Sequence, residues 1–217
     1  MKEIIFGTTN PGKIAQIQAA LNPLGIKVVG IEGLNNLPEV EESGETAQEN
    51  SRIKASAYAK AIGKPVLSMD NALYLDNLAP AEQPATHVRR IPGHDRANDE
   101  EMITYYSGLI EKNGGRMTGH WEFSICIAFP DGRAEEVTAA SQRIFTSEIS
   151  SKKSPGYPLE SIQLDPQSGK YLAEMSKEEV ERFWQDSVGK EIKELFSTLQ
   201  EELFGENKIE NQSHGTI

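Results

Sequence analysis

At 217 residues, with 37% hydrophobic and 25% charged residues, the chain has the composition of a water-soluble globular protein able to bury a substantial core. Its 33 acidic and 22 basic residues leave a net charge of −11, which argues against a nucleic-acid partner or an anionic membrane surface, although a small anion can still bind locally. Cys126 is the single cysteine, so an intrachain disulfide and a cysteine-built metal cluster are excluded, and no apolar run approaches the roughly 20 residues needed to cross a bilayer.

The opening MKEIIFGTTN reads as a strand over Lys2 to Phe6 and not as a signal peptide, which makes a cytoplasmic location the default. Ile14, Ile17, Leu21 and Leu24 then recur at steps of three and four, as one face of a helix does. Between strand and helix lies Gly7-Thr8-Thr9-Asn10-Pro11-Gly12-Lys13, with Asn10 suited to the N-cap and Pro11 to the first helical position. Free N–H groups at such a turn attract anions, and Lys13 adds a positive charge where the helix dipole alone favours an acid. A bound anion explains that lysine better than helix stability does, although an ordinary capped turn accounts for the rest.

Gly25 to Ile31 is a second short strand, and Gly33 to Ser43 an acidic, turn-rich loop. Thr46-Ala47-Gln48-Glu49 has capping-box spacing and starts the next helix, so Glu49 has two readings, a helix cap or a carboxylate pointing into a site. Asn50 and Lys54 share one face of that helix, which Gly63-Lys64-Pro65 ends. Val66 to Asp70 is a third strand with an acid at its far end. Strand, helix, strand, helix, strand predicts an α/β sheet with some parallel pairing, whose ligands bind beyond the carboxyl ends of strands. Thr8 to Lys13 and Asp70 both occupy such positions, although Asp70 also suits a turn.

Residues 77 to 97, with Asn77, Pro80, Pro84, Pro92 and Gly93, read as a long surface excursion from which Arg89 or Arg90 could reach a phosphate. A helix follows from Asn98 or Asp99 to about Lys112. Gly115 to Pro130 and Ala134 to Ile149 form a two-stranded ribbon around the Asp131-Gly132 turn, with His120 a structural residue. After a polar loop from Ser151 to Gly169, a capping box at Ser176 to Glu179 opens a last helix whose stripe runs from Val180 through Trp184 and Val188 to Leu199. Residues 1–205 read as one two-lobed domain and 206–217 as a flexible tail.

Several of these segments together resemble the inosine triphosphate pyrophosphatase family, which hydrolyses non-standard purine nucleoside triphosphates. Thr8 to Lys13 looks like its Ser/Thr-x-Asn-x-x-Lys motif, and Glu42 to Ala55 is similar to its Glu-Thr-Gly-x-Thr-Phe-x-Glu-Asn-Ala segment with the Lys-Ala that follows. The resemblance implies an α/β fold: an elongated mixed sheet with flanking helices, two lobes around a central cleft, and a homodimer. It implies that Thr8, Thr9, Asn10, Lys13, Lys54, Asn71, Gly156 and Tyr157 bind substrate and that Glu49 and Asp70 hold Mg2+. Asp70 stands at the family's proton acceptor, and Lys13 assists catalysis.

The departures are concentrated. For the family's Ala-Asp-Asp-Ser-Gly-Leu the chain has Ser68-Met69-Asp70-Asn71-Ala72-Leu73, and for Phe-Gly-Tyr-Asp-Pro it has Pro155-Gly156-Tyr157-Pro158-Leu159. In the last helix the family's lysine falls at Val180 and its Ser-His-Arg at Trp184-Gln185-Asp186. The triphosphate end is therefore mostly kept while the base-reading end is rewritten. The expectation is a nucleoside triphosphate pyrophosphatase of altered base preference; the alternative is a catalytically impaired nucleotide-binding or partner-binding protein.

Overall fold

The structure, a computed structural model, describes residues 2–33, 37 and 40–205. Five helices and six strands are named along it: β1 (Lys2–Phe6), α1 (Pro11–Leu21), β2 (Ile26–Gly30), α2 (Ala47–Ile62), β3 (Val66–Leu75), α3 (Asp99–Lys112), β4 (Arg116–Ala128), β5 (Ala134–Thr146), β6 (Gln163–Leu164), α4 (Lys177–Thr198) and α5 (Gln200–Phe204). The strands form one mixed sheet in the order β2-β1-β3-β4-β5-β6. β1 runs parallel to both β2 and β3, whereas β3, β4, β5 and β6 are successively antiparallel. No helix among the described residues is long and apolar enough to cross a membrane. The tail expected over 206–217 lies outside the described residues, as does part of the acidic loop after Gly33.

Helix starts follow their caps. Asn10 Oδ1 accepts the Gly12 N–H at 2.9 Å, and Thr46, Asn98 and Ser176 each open a helix through a capping box. Pro23 stops α1 at Leu21 and turns Asn22–Leu24 into a single 3-10 turn, three residues before the helical pattern itself ends. Asp131 and Gly132 close the β4–β5 hairpin, with Gly132 at φ +92° and the Asp131 carboxylate accepting the Arg133 N–H.

β3 departs most from its expected length. It runs five residues past Asp70 because β4 pairs with it without a break from Val66 to Leu75. β1 covers only Val66 and Leu67, so Asp70 lies in mid-strand yet beyond the end of β1. Side chains alternate faces along a strand. Leu67, Met69 and Leu73 therefore share one face, while Asp70 shares the other with Ser68 and Ala72.

The first face carries two apolar clusters. One joins β1, β2, α1 and α4 through Phe6, Ile17, Leu67, Met69, Phe123, Trp184, Val188 and Ile192. The other joins α3 to the far ends of β3, β4 and β5 through Leu73, Tyr106, Ile110, Met117 and Phe145. Trp121 packs against both. Each large side chain buried here contributes roughly 1.5–3 kcal/mol relative to exposure. On the opposite face α2 lays Ala55 and Ala59 against Val66, Cys126 and Ala128, small residues that let the helix approach closely.

The 77–97 segment is less of a surface excursion than its prolines suggest. Ala85 bridges to Leu73, Ile91 and Ala97 are buried, and Val88 O accepts the Tyr106 hydroxyl. His120 is structural in the expected sense, stacked on Tyr74 at 5.2 Å.

Candidate functional site

Where β1 ends and β3 continues, three ionic side chains from three elements converge. Lys13 comes from the first turn of α1, Lys54 from the middle of α2 and Asp70 from β3. Lys54 Nζ lies 3.7 Å and Lys13 Nζ 4.0 Å from Asp70 Oδ1. Lys13 also donates to the carbonyl of Met69 at 3.1 Å, and Lys54 to Glu42 Oε1 at 3.0 Å. Asp70 is only 8% exposed. Desolvation raises its carboxyl above the usual range, against the opposing pull of Lys54 and Lys13. Burial, then the charge of Lys54, pushes the Lys13 ammonium down to about 8.

The two lysines repel each other and are offset by buried Asp70 and by Glu42, whose side chain is exposed; a polyanion in place of the Glu42 carboxylate would meet both ammonium groups. Lys13 attracts such an anion only while protonated. Affinity for inorganic tripolyphosphate should therefore hold up to about pH 8 and then fall by about tenfold per unit as Lys13 loses its proton. Calorimetry from pH 7 to 9.5 checks this, and an affinity flat across that range would remove Lys13 from the site.

The turn before α1 is wound tightly. Thr8 Oγ1 accepts the Asn10 N–H at 3.1 Å, Gly7 N–H bonds to Leu67 O, and Thr9 is exposed at the apex. Gly12 is required by what covers it: a Cβ there would lie 1.9 Å from Tyr157 Cε2. The Gly156-Tyr157 segment, distant in sequence, thus closes directly over the turn before α1. The Tyr157 hydroxyl lies beside Asn10 without a well-formed hydrogen bond.

Asp99 holds that segment, its Oδ2 accepting the Gly156 N–H at 2.9 Å and its Oδ1 accepting from Arg89 at 2.8 Å. Desolvation opposes ionisation of Asp99, but these hydrogen bonds together keep its pKa below the usual range. Arg89, expected to reach a phosphate, instead binds Asp99 and the carbonyls of Ala97 and Gly156. Its side chain braces the loop.

Lys13, Lys54 and Asp70 are thus brought together, with Thr8, Asn10, Gly156 and Tyr157 around the same turn. Glu49 sits at the exposed start of α2, where Oε2 accepts the N–H groups of Glu45 and Thr46 and completes the capping box. Both bonds use that one oxygen. Asn71 lies on the face opposite Asp70, its Oδ1 buried and without a partner among the described residues. Met69 is 2% exposed in the core, on that same opposite face, so an apolar residue there satisfies packing. Among the described residues, no group of three His, Cys, Asp or Glu side chains could hold a metal ion.

Glu42 and Asn50 also belong to this cluster. Glu42 pairs with Lys54, and buried Asn50 lies beside Asp70 while accepting the Gly44 N–H. Gln16 Oε1 is buried on α1 without a partner among the described residues. Asn50 and Lys54 at helical spacing were the visible signal.

On the family's base-reading positions, Trp184 is buried edge-on to Phe123 at 5.4 Å, Gln185 donates to Ala19 O, and Asp186 is exposed.

Fold and site together define an α/β protein in which two lysines and a buried aspartate meet at a strand-to-helix turn. The chain belongs to the Ham1 family, whose model matches residues 4–185. It is 30% identical over 182 residues to a dITP/XTP pyrophosphatase of Bacillus subtilis, covering 82% of this chain and 88% of that one. A dITP/XTP pyrophosphatase of Rhodopseudomonas palustris is 35% identical over 141 residues, 63% of this chain and 65% of the relative. The solved HAM1 protein of Coxiella burnetii shares the fold with a TM-score of 0.71 at 23% identity, covering 91% of this chain and 100% of that one.

Proposed function

We propose that this protein hydrolyses a nucleoside triphosphate, ribo or deoxy, to the monophosphate and pyrophosphate, with a base preference altered from inosine and xanthosine triphosphates. The observation that carries the reading is the meeting of Lys13, Lys54 and Asp70 within 4.0 Å contacts at the end of β1. The Ham1-family relatives named as dITP/XTP pyrophosphatases support the reaction class. The altered preference rests on Val180, Trp184, Gln185 and Asp186, which cannot supply the lysine, histidine and arginine of the family pattern.

In this reading Thr8, Thr9, Asn10 and Lys13 hold the phosphate chain, and Lys54 offsets its charge. Asp70, with its proton affinity raised by burial, accepts the proton of the attacking water. Gly156 and Tyr157 line the substrate side, whereas Asn71, on the opposite face of β3, is left without a substrate role. The donor set fits magnesium, which commonly binds through one or two carboxylates plus substrate phosphates. Asp70 and Glu49 would hold it, and when bound it would neutralise charge on the phosphates. The test is pyrophosphate release with magnesium across standard and deaminated purine and pyrimidine triphosphates. Turnover that favours a standard base supports the reading; inosine triphosphate as best substrate removes the altered preference, and no turnover removes the activity.

Trp184 favours a second reading, nucleotide binding without turnover, because its indole occupies core volume at a base-reading position. Thermal stabilisation by a triphosphate in the absence of hydrolysis would select it.

A further inference from the structure

The ring of Tyr157 closes over Gly12, yet nothing at its own tip secures it, since the hydroxyl is buried without a well-formed hydrogen bond among the described residues. The place of the ring is therefore set from the backbone. The Tyr157 N–H bonds to Ser154 O within the same short loop, which shapes the loop without attaching it to the rest of the protein. Gly156, at φ +80°, turns its N–H out of the loop to Asp99 Oδ2 at 2.9 Å.

Packing does not do the work of that bond. Leu159 and Ile162 join the apolar cluster on α3, but residues 153–155 face α3 across a cavity of about 200 Å³, lined among others by Ile103, Ser154, Pro155 and Pro158. Two polar tethers border the cavity, the Gly156–Asp99 hydrogen bond and an ion pair of Lys153 Nζ with Glu100 Oε1 at 2.6 Å. The ion pair is exposed on both sides, where such a contact contributes little. Asp99 is better anchored. It opens α3 directly after the Asn98 cap, and Arg89 donates to its Oδ1 at 2.8 Å while also donating to Ala97 O at 3.0 Å. A carboxylate fixed by a helix start and an arginine offers the loop a rigid acceptor. No hydrogen bond or ion pair joins Asp99 to Lys13, Lys54 or Asp70 among the described residues, so its reach to them runs through Gly156 and Tyr157.

We propose that Asp99 is a positioning residue for the phosphate end of the site: by holding the Gly156 N–H it sets the Tyr157 ring over the Gly12 turn and keeps Asn10 and Lys13 where a phosphate chain meets them. This role rests on the proposed function, which takes that turn as the seat of phosphate. The test is the calorimetric affinity for inorganic tripolyphosphate at pH 7, below the Lys13 pKa of about 8, in wild-type protein, Asp99→Ala, Tyr157→Ala and the double variant. Asp99→Ala should weaken binding by about tenfold, as a small misplacement of binding groups does, and should add no further loss once Tyr157 is alanine. Asp99→Asn, whose amide oxygen still accepts the Gly156 N–H, should recover most of the affinity. A general loss of stability produces neither the non-additivity nor the rescue. Unchanged affinity in Asp99→Ala, or an equal loss with and without the Tyr157 ring, overturns the proposal, as does Asp99→Asn binding as weakly as Asp99→Ala. Wild-type protein that binds no tripolyphosphate refutes the phosphate seat and this role with it, whereas wild-type binding that Asp99→Ala leaves intact refutes the role alone. Should Asp99→Ala fail to fold, Asp99→Glu, which keeps the charge but shifts it by one methylene, enters the same cycle with the same expected loss.

Discussion

Asp70→Asn should reduce pyrophosphate release by about 10²–10⁴-fold, the usual range for losing a positioned general base, while leaving a folded protein. The amide preserves shape in a site only 8% exposed, and Lys54 keeps its contact with Glu42 at 3.0 Å. The electrostatic consequence has its own readout. Asp70 is one of the two groups that raise the Lys13 pKa against burial and Lys54. Without its charge, Lys13 should lose its proton below its present value of about 8, so the fall in tripolyphosphate affinity should begin at lower pH. Steady-state kinetics on the best triphosphate, together with the calorimetric pH series, check both effects. Full activity in Asp70→Asn would eliminate this carboxylate as proton acceptor, whatever the fate of Lys13.

Gly12→Ala should do comparable damage by steric means. The added carbon would sit 1.9 Å from Tyr157 Cε2 and 2.7 Å from Cζ and the hydroxyl oxygen. The ring cannot retreat freely, because Asp99 and Arg89 anchor the adjacent Gly156 from both sides of its peptide. Either Tyr157 swings out or the Asn10 turn shifts, and both outcomes dismantle the phosphate end. Overpacking of this kind costs about 1–3 kcal/mol, and kcat/KM should drop by about tenfold or more through misplacement of Lys13. Denaturant unfolding of Gly12→Ala, Tyr157→Ala and the double variant separates the clash from a backbone effect. If the ring is the obstacle, the alanine at 12 costs much less once Tyr157 is gone. An equal cost in both backgrounds would locate the strain elsewhere.

The sequence displayed those parts of the molecule that are fixed by local chemistry. Asn10-Pro11, the capping boxes at Thr46 and Ser176, and Asp131-Gly132 each specify a backbone turn within four residues, and each is formed as expected. Lys13 lies beyond the end of β1 as expected, but Asp70, expected at the end of its own strand, sits in mid-strand and meets Lys13 because β3 outruns β1. β3 was misjudged because an acid normally closes a strand, whereas here the long antiparallel ladder with β4 carries the chain through Asp70 and Asn71. Arg143 was hidden for a similar reason. It reads as one more polar residue in a ribbon strand, and only alternation with Ala139, Ser141 and Phe145 places it on the covered face. The contact of Tyr157 with Gly12 spans most of the chain and leaves no local mark beyond the glycine itself. Glu49 shows the opposite limit, since one motif serves two readings and the cap, made through Oε2 alone, is compatible with both.

The unequal lengths of β1 and β3 have a further effect on how the protein behaves among its neighbours. From Ser68 to Ala72, β3 is paired by β4 on one side, while no described strand pairs with its other side. An open stretch of strand is a template on which a foreign segment can add, the first step of edge-to-edge aggregation. Lys13 occupies the middle of this stretch by bonding to the Met69 carbonyl, and Lys54 sets a second ammonium beside it. Near the start of the chain, one short helix turn therefore supplies a gatekeeper: the ammonium group that meets Asp70 also denies the strand edge to another polypeptide.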